Sequence, residues 1–264
     1  GMNKRELLDR TGADGEERLL LGQVLDKMEH AQRRQEPCAT GFLSPKEQRS
    51  AEALLNAAGH PRYAAVGGYD GAERRVLVFL PDWMEPEYLQ SGDYLSVLRC
   101  TWFKEDKLTH RDFLGSLMGM GVRRDTVGDI LVGDGSCDIL TLPTVAGFLK
   151  DSLTSAGRVK LHVSEVPLEE VRVPVQERKV LHDTVAALRL DSVLAVGFSI
   201  SRSKASQLIA SGRCAVNWQD TSKSDLAVRA GDVISCRGLG KCRLAEVGSL
   251  SRKGRINVTV ERYL

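Results

Sequence analysis

Between residues 94 and 166, strand-like and helix-like patterns alternate in one order, and that order restricts the fold more than anything else in the chain. Tyr94 to Phe103 (YLSVLRCTWF) is rich in β-branched and aromatic residues and reads as a strand. Thr109-His110-Arg111-Asp112 opens a helix, with Thr109 as N-cap, that ends near Gly121. Thr126 to Val132 and Ser136 to Leu142 read as two strands joined by the turn Gly133-Asp134-Gly135. Pro143 begins a second helix expected to end at Gly157, and Val159 to Val166 reads as a final strand. The order β-α-β-β-α-β is the ferredoxin-like split βαβ. Sheets of this shape host RNA-binding proteins and many unrelated functions, so the fold alone assigns no activity. The stacking aromatics of an RNA-recognition sheet follow a set motif, and that motif is absent here. Trp102 and Phe103 are adjacent, so only one of them faces any given side.

The flanking segments have their own punctuation. Residues 3–35 place Leu7, Leu8, Leu19, Leu20, Val24, Leu25 and Met28 at spacings that fit one or two amphipathic helices, and Pro37 ends the run. Ser44-Pro45-Lys46-Glu47 is a helix start, with Ser44 as N-cap, Pro45 in the first turn and Glu47 closing a capping box. That helix continues through Leu54 and Leu55 to Gly59. Tyr63 to Tyr69 and Arg75 to Leu80 read as a hairpin. Residues 167–186, with two prolines and mixed charge, read as a connection. The expected class is therefore α+β, in three parts. Residues 1–85 form an N-terminal helical and hairpin unit, 86–170 the ferredoxin-like domain, and 187–264 a separate C-terminal domain with C-terminal strands.

Composition sets limits on function. Of 264 residues, 42% are apolar and 27% charged, as in an ordinary globular protein with no membrane association. Met2-Asn3-Lys4-Arg5-Glu6 has no apolar run behind it, which reads as no signal peptide and a cytoplasmic setting. Gly1 ahead of Met2 reads as a residue left by tag removal. The six cysteines include no C-x-x-C pair and sit among apolar neighbours, so reduced, partly buried thiols are expected and no metal site. The net charge of +2 is unevenly divided. Residues 187–264 hold 13 Lys and Arg against 6 Asp and Glu, a net +7, while residues 1–186 hold 24 against 29, a net −5. A basic C-terminal domain on an acidic body is a footprint for a polyanion.

Within that basic domain, Ser201 caps a helix, Arg202 to Ser211, with Ala205, Leu208 and Ile209 as its apolar face. Its first turn carries Arg202, Ser203 and Lys204, where free backbone N–H groups beside two cations suit a phosphate. Gly212 stops the helix. Arg213 to Val216 leads as a strand into a turn at Asn217, and Asp232 to Cys236 is a second strand after Ala230-Gly231-Asp232. Two short helices on a small sheet are expected to bring Arg202, Lys204 and Arg213 near one edge.

The segment from Arg189 to Gly238 resembles the RNA-binding domain of the ribosomal protein S4 type. The matching elements, in order, are Arg189-Leu190-Asp191, Ser201-Arg202-Ser203-Lys204-Ala205, Ile209 with Gly212, Val216-Asn217 and Gly231-Asp232. The resemblance implies RNA contact through Arg202, Ser203, Lys204, Gln207 and Arg213, with Arg189, Lys223 and Arg237 as further candidates. Trp218 stands where the motif commonly has glycine, and it either makes the turn unusual or offers a stacking surface. Nearly the whole chain also resembles the YlmH-like proteins of bacterial cell-division gene clusters. That likeness rests on Leu108-Thr109-His110-Arg111-Asp112-Phe113-Leu114-Gly115, Met118-Gly119-Met120-Gly121, Gly128-Asp129-Ile130-Leu131-Val132 and Thr40-Gly41-Phe42-Leu43 with Pro45. It implies a protein without cofactor that binds structured RNA (ribosomal RNA, tRNA or both) on the ribosome. Small S4-type relatives recognise a large subunit carrying a stranded peptidyl-tRNA, so ribosome rescue or quality control is the implied setting. No oligomeric state is implied.

Other motifs lead elsewhere. His110-Arg111-Asp112 lacks the Asn of a kinase catalytic loop, since position 117 is leucine, and Gly115 to Gly121 lacks the Gly-Lys-Ser/Thr of a phosphate loop. Asp191 in Arg-Leu-Asp could echo a pseudouridine synthase, but Leu188 precedes the triplet and Asp191 reads as structural. Gly67-Gly68 after a strand is the closest approach to a methyltransferase turn, yet no helix opens there. Asp112, His110, Asp129 and Asp134 are the sole nominees for an RNA-modifying enzyme, and a division adaptor with an acidic partner surface is the third reading. Arg123 and Arg124 are a secondary RNA contact or a solvated helix end. Arg252-Lys253-Gly254-Arg255 touches phosphate or is an exposed turn.

Overall fold

The computed structural model describes residues 2–264, so Gly1, read above as a tag remnant, lies outside the described residues. The chain divides into two compact units, one ending at Pro174 and one beginning at Val175.

In the first unit, α1 (Lys4–Thr11) and α2 (Gly15–Arg34) precede a two-residue strand β1 (Cys38–Ala39), then α3 (Pro45–Ala57), β2 (Tyr63–Val66) and β3 (Val76–Phe79). The capping box of α3 is formed on both sides: Glu47 N–H donates to Ser44 Oγ at 3.2 Å, and Ser44 N–H donates to Glu47 Oε1 at 2.7 Å. The three strands order as β1-β3-β2. Leu21, Val24 and Leu25 of α2 and Leu54 and Leu55 of α3 pack against Leu77 and Phe79 on one face of this small sheet.

The ferredoxin-like order follows: β4 (Ser96–Thr101), α4 (His110–Gly119), β5 (Val127–Val132), β6 (Ser136–Thr141) and α5 (Pro143–Ser152). A short hairpin, β7 (Ser155–Ala156) and β8 (Val159–Lys160), precedes β9 (His162–Val166). The sheet runs β5-β6-β4-β9 with every neighbour antiparallel, as a split βαβ requires. Thr109 and Asp112 cap α4 reciprocally. Leu98, Cys100, Cys137 and Ile139 face α4 and α5, meeting Phe113, Leu117, Ala146 and Leu149. Val97 and Leu140 face the other way, onto Phe42, Val66, Val76 and Val78. The sheet is thus covered on both faces, and residues 1–85 share a core with 86–170 inside one unit. Gly128 makes the seam close-packed: a Cβ there would stand 2.8 Å from Phe42 Cζ and 2.9 Å from Leu140 Cβ.

Two expectations in this unit are corrected. The second helix stops at Ser152 rather than Gly157, and the strand expected over 159–166 is split in two. Leu153, Ala156 and Leu161 are all buried in the α4/α5 core. The three-residue step from 153 to 156 looks like a continuing helix, while the chain instead turns at Gly157 in a left-handed conformation.

The second unit holds β10 (Arg178–Val185), α6 (Leu190–Phe198), α7 (Arg202–Ala210), β11 (Cys214–Val216), β12 (Gln219–Thr221), β13 (Val233–Cys236), β14 (Gly240–Leu250) and β15 (Ile256–Tyr263). Its sheet orders as β10-β15-β14-β13-β11-β12. Residues 178–185 were read as part of a connection, but they pair with β15 along their full length, from Arg178 opposite Tyr263 to Val185 opposite Ile256. Only Val185 of this edge strand is buried, so no apolar alternation marks it. Leu190, Val193, Leu194 and Phe198 of α6 and Ala205 and Ile209 of α7 close the core over Ile234, Cys242, Leu244 and Val260.

No described helix is long and apolar enough to cross a membrane. All six cysteines are free thiols, five buried and Cys38 half-buried. Burial pushes the Cys100 and Cys242 thiols up to about 12, which leaves them uncharged and inert.

Candidate nucleic-acid interface

The candidate interface is built on α7. Ser201 Oγ accepts from Lys204 N–H at 3.1 Å and fixes where the helix starts. Ala205 and Ile209 are buried, which turns Arg202, Ser203, Lys204 and Gln207 to solvent. Behind this face lies Asp191, at 1% exposure. Arg189 grips it with two bonds, Nε at 3.2 Å and Nη2 at 3.0 Å. Arg202 Nε reaches it at 3.3 Å, as does Ser206 Oγ at 3.3 Å, and Ser192 N–H donates at 2.8 Å. Burial alone would raise the Asp191 carboxyl, but the bonds from Arg189, Arg202 and the Ser192 amide outweigh it and hold the group below its ordinary value. Asp191 is therefore an anchor for two of the expected RNA-contacting arginines.

The segment after β12 runs back along this end of the domain: Leu190 N–H donates to Leu226 O, Asp191 N–H to Ser224 O, and Ser224 Oγ to Ser206 O. It carries exposed Lys223 to the same end as Arg189 and Arg202. At the other end of α7, Gly212 turns in a left-handed conformation. There Arg237 N–H donates to Arg213 O, and Arg237 Nη2 donates to Gly212 O at 3.2 Å. The expected residues thus fall into two groups, Arg189, Arg202 and Lys223 at the start of α7 and Arg213 and Arg237 at its end. Nine helical residues separate the groups by ~13 Å, with Ser203, Lys204 and Gln207 between them. Among the described residues, Lys204, Arg213 and Lys223 have no carboxylate partner, and all three are exposed.

Asn217 and Trp218 form the two-residue loop between β11 and β12, and both have positive φ, 49° and 63°. That is a primed hairpin turn with tryptophan where glycine is usual. Asn217 is locked by its side chain, which accepts from Val233 N–H at 2.9 Å and donates to Asp232 Oδ1 at 3.0 Å. Trp218 is half-buried.

Most of the other nominees have partners of their own. Arg123 is exposed and pairs with Asp125 at 2.7 Å. Arg124 is half-buried and donates to the Val127 carbonyl at 2.7 Å, while Arg74 Nε donates to the same oxygen at 3.0 Å. Burial and the neighbouring Arg74 charge lower the Arg124 guanidinium to about 10. Arg124 thus braces the seam between hairpin and sheet while remaining partly exposed. Asp129 accepts from Tyr69 Oη at 2.6 Å and from the Glu73 and Arg74 amides; Asp112 caps α4; Asp134 pairs with Lys107 at 3.3 Å. His110 is lowered by burial and then by Arg124. Arg252 and Lys253 are exposed in the β14–β15 turn, whereas Arg255 donates to Thr184. Among the described residues no three His, Cys, Asp or Glu side chains gather as a metal site would require. Sequence reasoning missed Ser206 and the return of residues 224–228, because a contact between loop and helix start leaves no local periodicity.

Three family models match the chain: "YlmH, N-terminal" over residues 16–83, "Putative RNA-binding domain in YlmH" over 101–170, and the S4 domain over 188–234. Ribosome-associated protein quality control protein P2 of Bacillus subtilis (strain 168) is 32% identical over 248 residues, which is 94% of this chain and 95% of that protein. The solved structure of cell division protein ylmH from Streptococcus pneumoniae aligns with a TM-score of 0.50 at 22% identity, covering 61% of this chain and 97% of that one, and so shares the fold.

Proposed function

The chain belongs to the YlmH family and carries an S4 domain, and from this premise we propose that it binds structured RNA on the ribosome without catalysing a reaction. The observation that carries this reading is the solvent-facing side of α7, where Lys204 stands between two arginine-bearing groups and, among the described residues, Lys204, Arg213 and nearby Lys223 have no carboxylate partner. Lys and Arg neutralise phosphates, while the helix start and polar side chains set the register on a folded RNA. The name of the Bacillus subtilis relative, a ribosome-associated quality control protein, supports that process as the setting; a large subunit with its peptidyl-tRNA is our own proposal for the target. A cytoplasmic location goes with that setting.

Lys204→Ala with Arg213→Ala is the clean test, because neither side chain holds the protein together. Arg202→Ala would also strip a partner from buried Asp191. In a salt titration with ribosomal RNA, the double variant is expected to bind more weakly and to lower the log–log salt slope by about 2. An unchanged affinity and slope would remove α7 from the interface.

A further inference from the structure

The middle domain has an unassigned cleft at one end of its sheet. On a β-α-β-β-α-β sheet, RNA bases ordinarily stack on the face that the helices leave open. Here that face is filled by Phe42, Val66, Val76 and Val78 against Val97 and Leu140. It is further closed by Arg99, which grips the buried Asp138 with two bonds at 2.9 and 3.0 Å. Aromatic surface reaches solvent instead where β4 ends. Trp102 and Phe103 follow the last paired residue, Thr101, which stands opposite His162 on the edge strand β9.

Trp102 is half-buried and fixed in orientation. Its ring packs 5.6 Å from Phe113, centroid to centroid, and its indole N–H donates to the Asp106 carbonyl at 2.9 Å. Trp102 lines an open cleft of about 370 Å³ with Thr101, Lys160, Leu161 and His162. Phe103, beside it, is 73% exposed. Lys160 and His162 are exposed, and among the described residues neither has a carboxylate partner. One aromatic wall, one lysine and one histidine carry too little charge to track a duplex backbone. They suit a single stacked base with its phosphate.

We infer that this cleft binds an unpaired RNA nucleotide, its base stacked on Trp102 and its phosphate held by Lys160, with His162 on the rim. The inference rests on the RNA-binding reading above and adds a second, single-strand contact distinct from α7.

The test uses the full chain and two labelled probes, a ten-nucleotide oligoadenylate and ribosomal RNA, followed by fluorescence anisotropy. Trp102→Leu keeps an apolar partner for Phe113 but removes the stacking face. It is expected to weaken decamer binding about 5- to 150-fold, the range one base stack supplies, while ribosomal RNA stays bound. Lys160 is exposed, and Lys160→Glu is expected to weaken decamer binding and flatten its salt dependence. Lys204→Ala with Arg213→Ala is expected to give the reverse pattern. Decamer binding unchanged in folded Lys160→Glu and Trp102→Leu would overturn the inference. So would a wild-type protein that binds ribosomal RNA but not the decamer, an outcome that leaves the α7 reading standing. Failure to bind either probe would sink both.

Discussion

Asp191 concentrates the physics of the basic domain in one carboxylate. It is buried, yet it stays charged because two guanidiniums, a hydroxyl and an amide donate to it. Asp191→Asn removes the charge while both arginine heads keep partial access to water, with side chains 36% and 54% exposed. We expect a destabilisation of about 2 kcal/mol in urea unfolding, below the usual cost of breaking a fully buried pair because water screens the arginines. A folded-state carboxyl held below its ordinary value contributes stability that is fully present above that value. Wild type should therefore lose this contribution as pH falls below about 4, and Asp191→Asn should show no such loss. Matching acid-unfolding curves for the two proteins would contradict this. Asp191 could be read from the sequence as structural, because Arg-Leu-Asp opened the S4-type pattern. That it holds Arg202 could not, because eleven residues and a helix turn separate them.

At the scale of elements, the legible ones were those with chemical punctuation. Ser44, Thr109 and Ser201 each cap the helix they announced, and Gly133-Asp134-Gly135 joins the strands that flank it. Elements that stayed hidden, such as β1, β7 and β10, are two-residue strands or an edge strand with one buried side chain. Their pairing is decided by distant partners rather than by their own pattern. The β11–β12 turn falls between these cases. Asn217 announced a turn, but Trp218 at φ 63° occupies a left-handed position that costs a tryptophan about 1–2 kcal/mol. Strain of this kind gathers at functional positions. Trp218→Gly should leave stability within about 1 kcal/mol of wild type, relief of strain offsetting lost contacts of the half-buried indole, and should weaken RNA binding. Thermal unfolding and RNA anisotropy on the same variant decide it. Unaltered RNA affinity would make Trp218 a turn residue alone.

At the scale of the whole molecule, the charge asymmetry and the α+β class were legible because they are summed over many residues. The core shared by the segments on either side of residue 85 was not legible, since Phe42 and Gly128 meet across some eighty residues of sequence. That packing covers the open face of the ferredoxin-like sheet, and the proposed RNA contacts therefore lie on α7 and at the strand end by Trp102. The most direct test of the central claim is co-sedimentation of the full chain with separated ribosomal subunits over a salt series, wild type beside the Lys204→Ala, Arg213→Ala double variant. The account predicts salt-sensitive binding to the large subunit that the double variant loses at lower salt than wild type. Equal sedimentation of the two proteins at every salt, or none with either subunit, would contradict it.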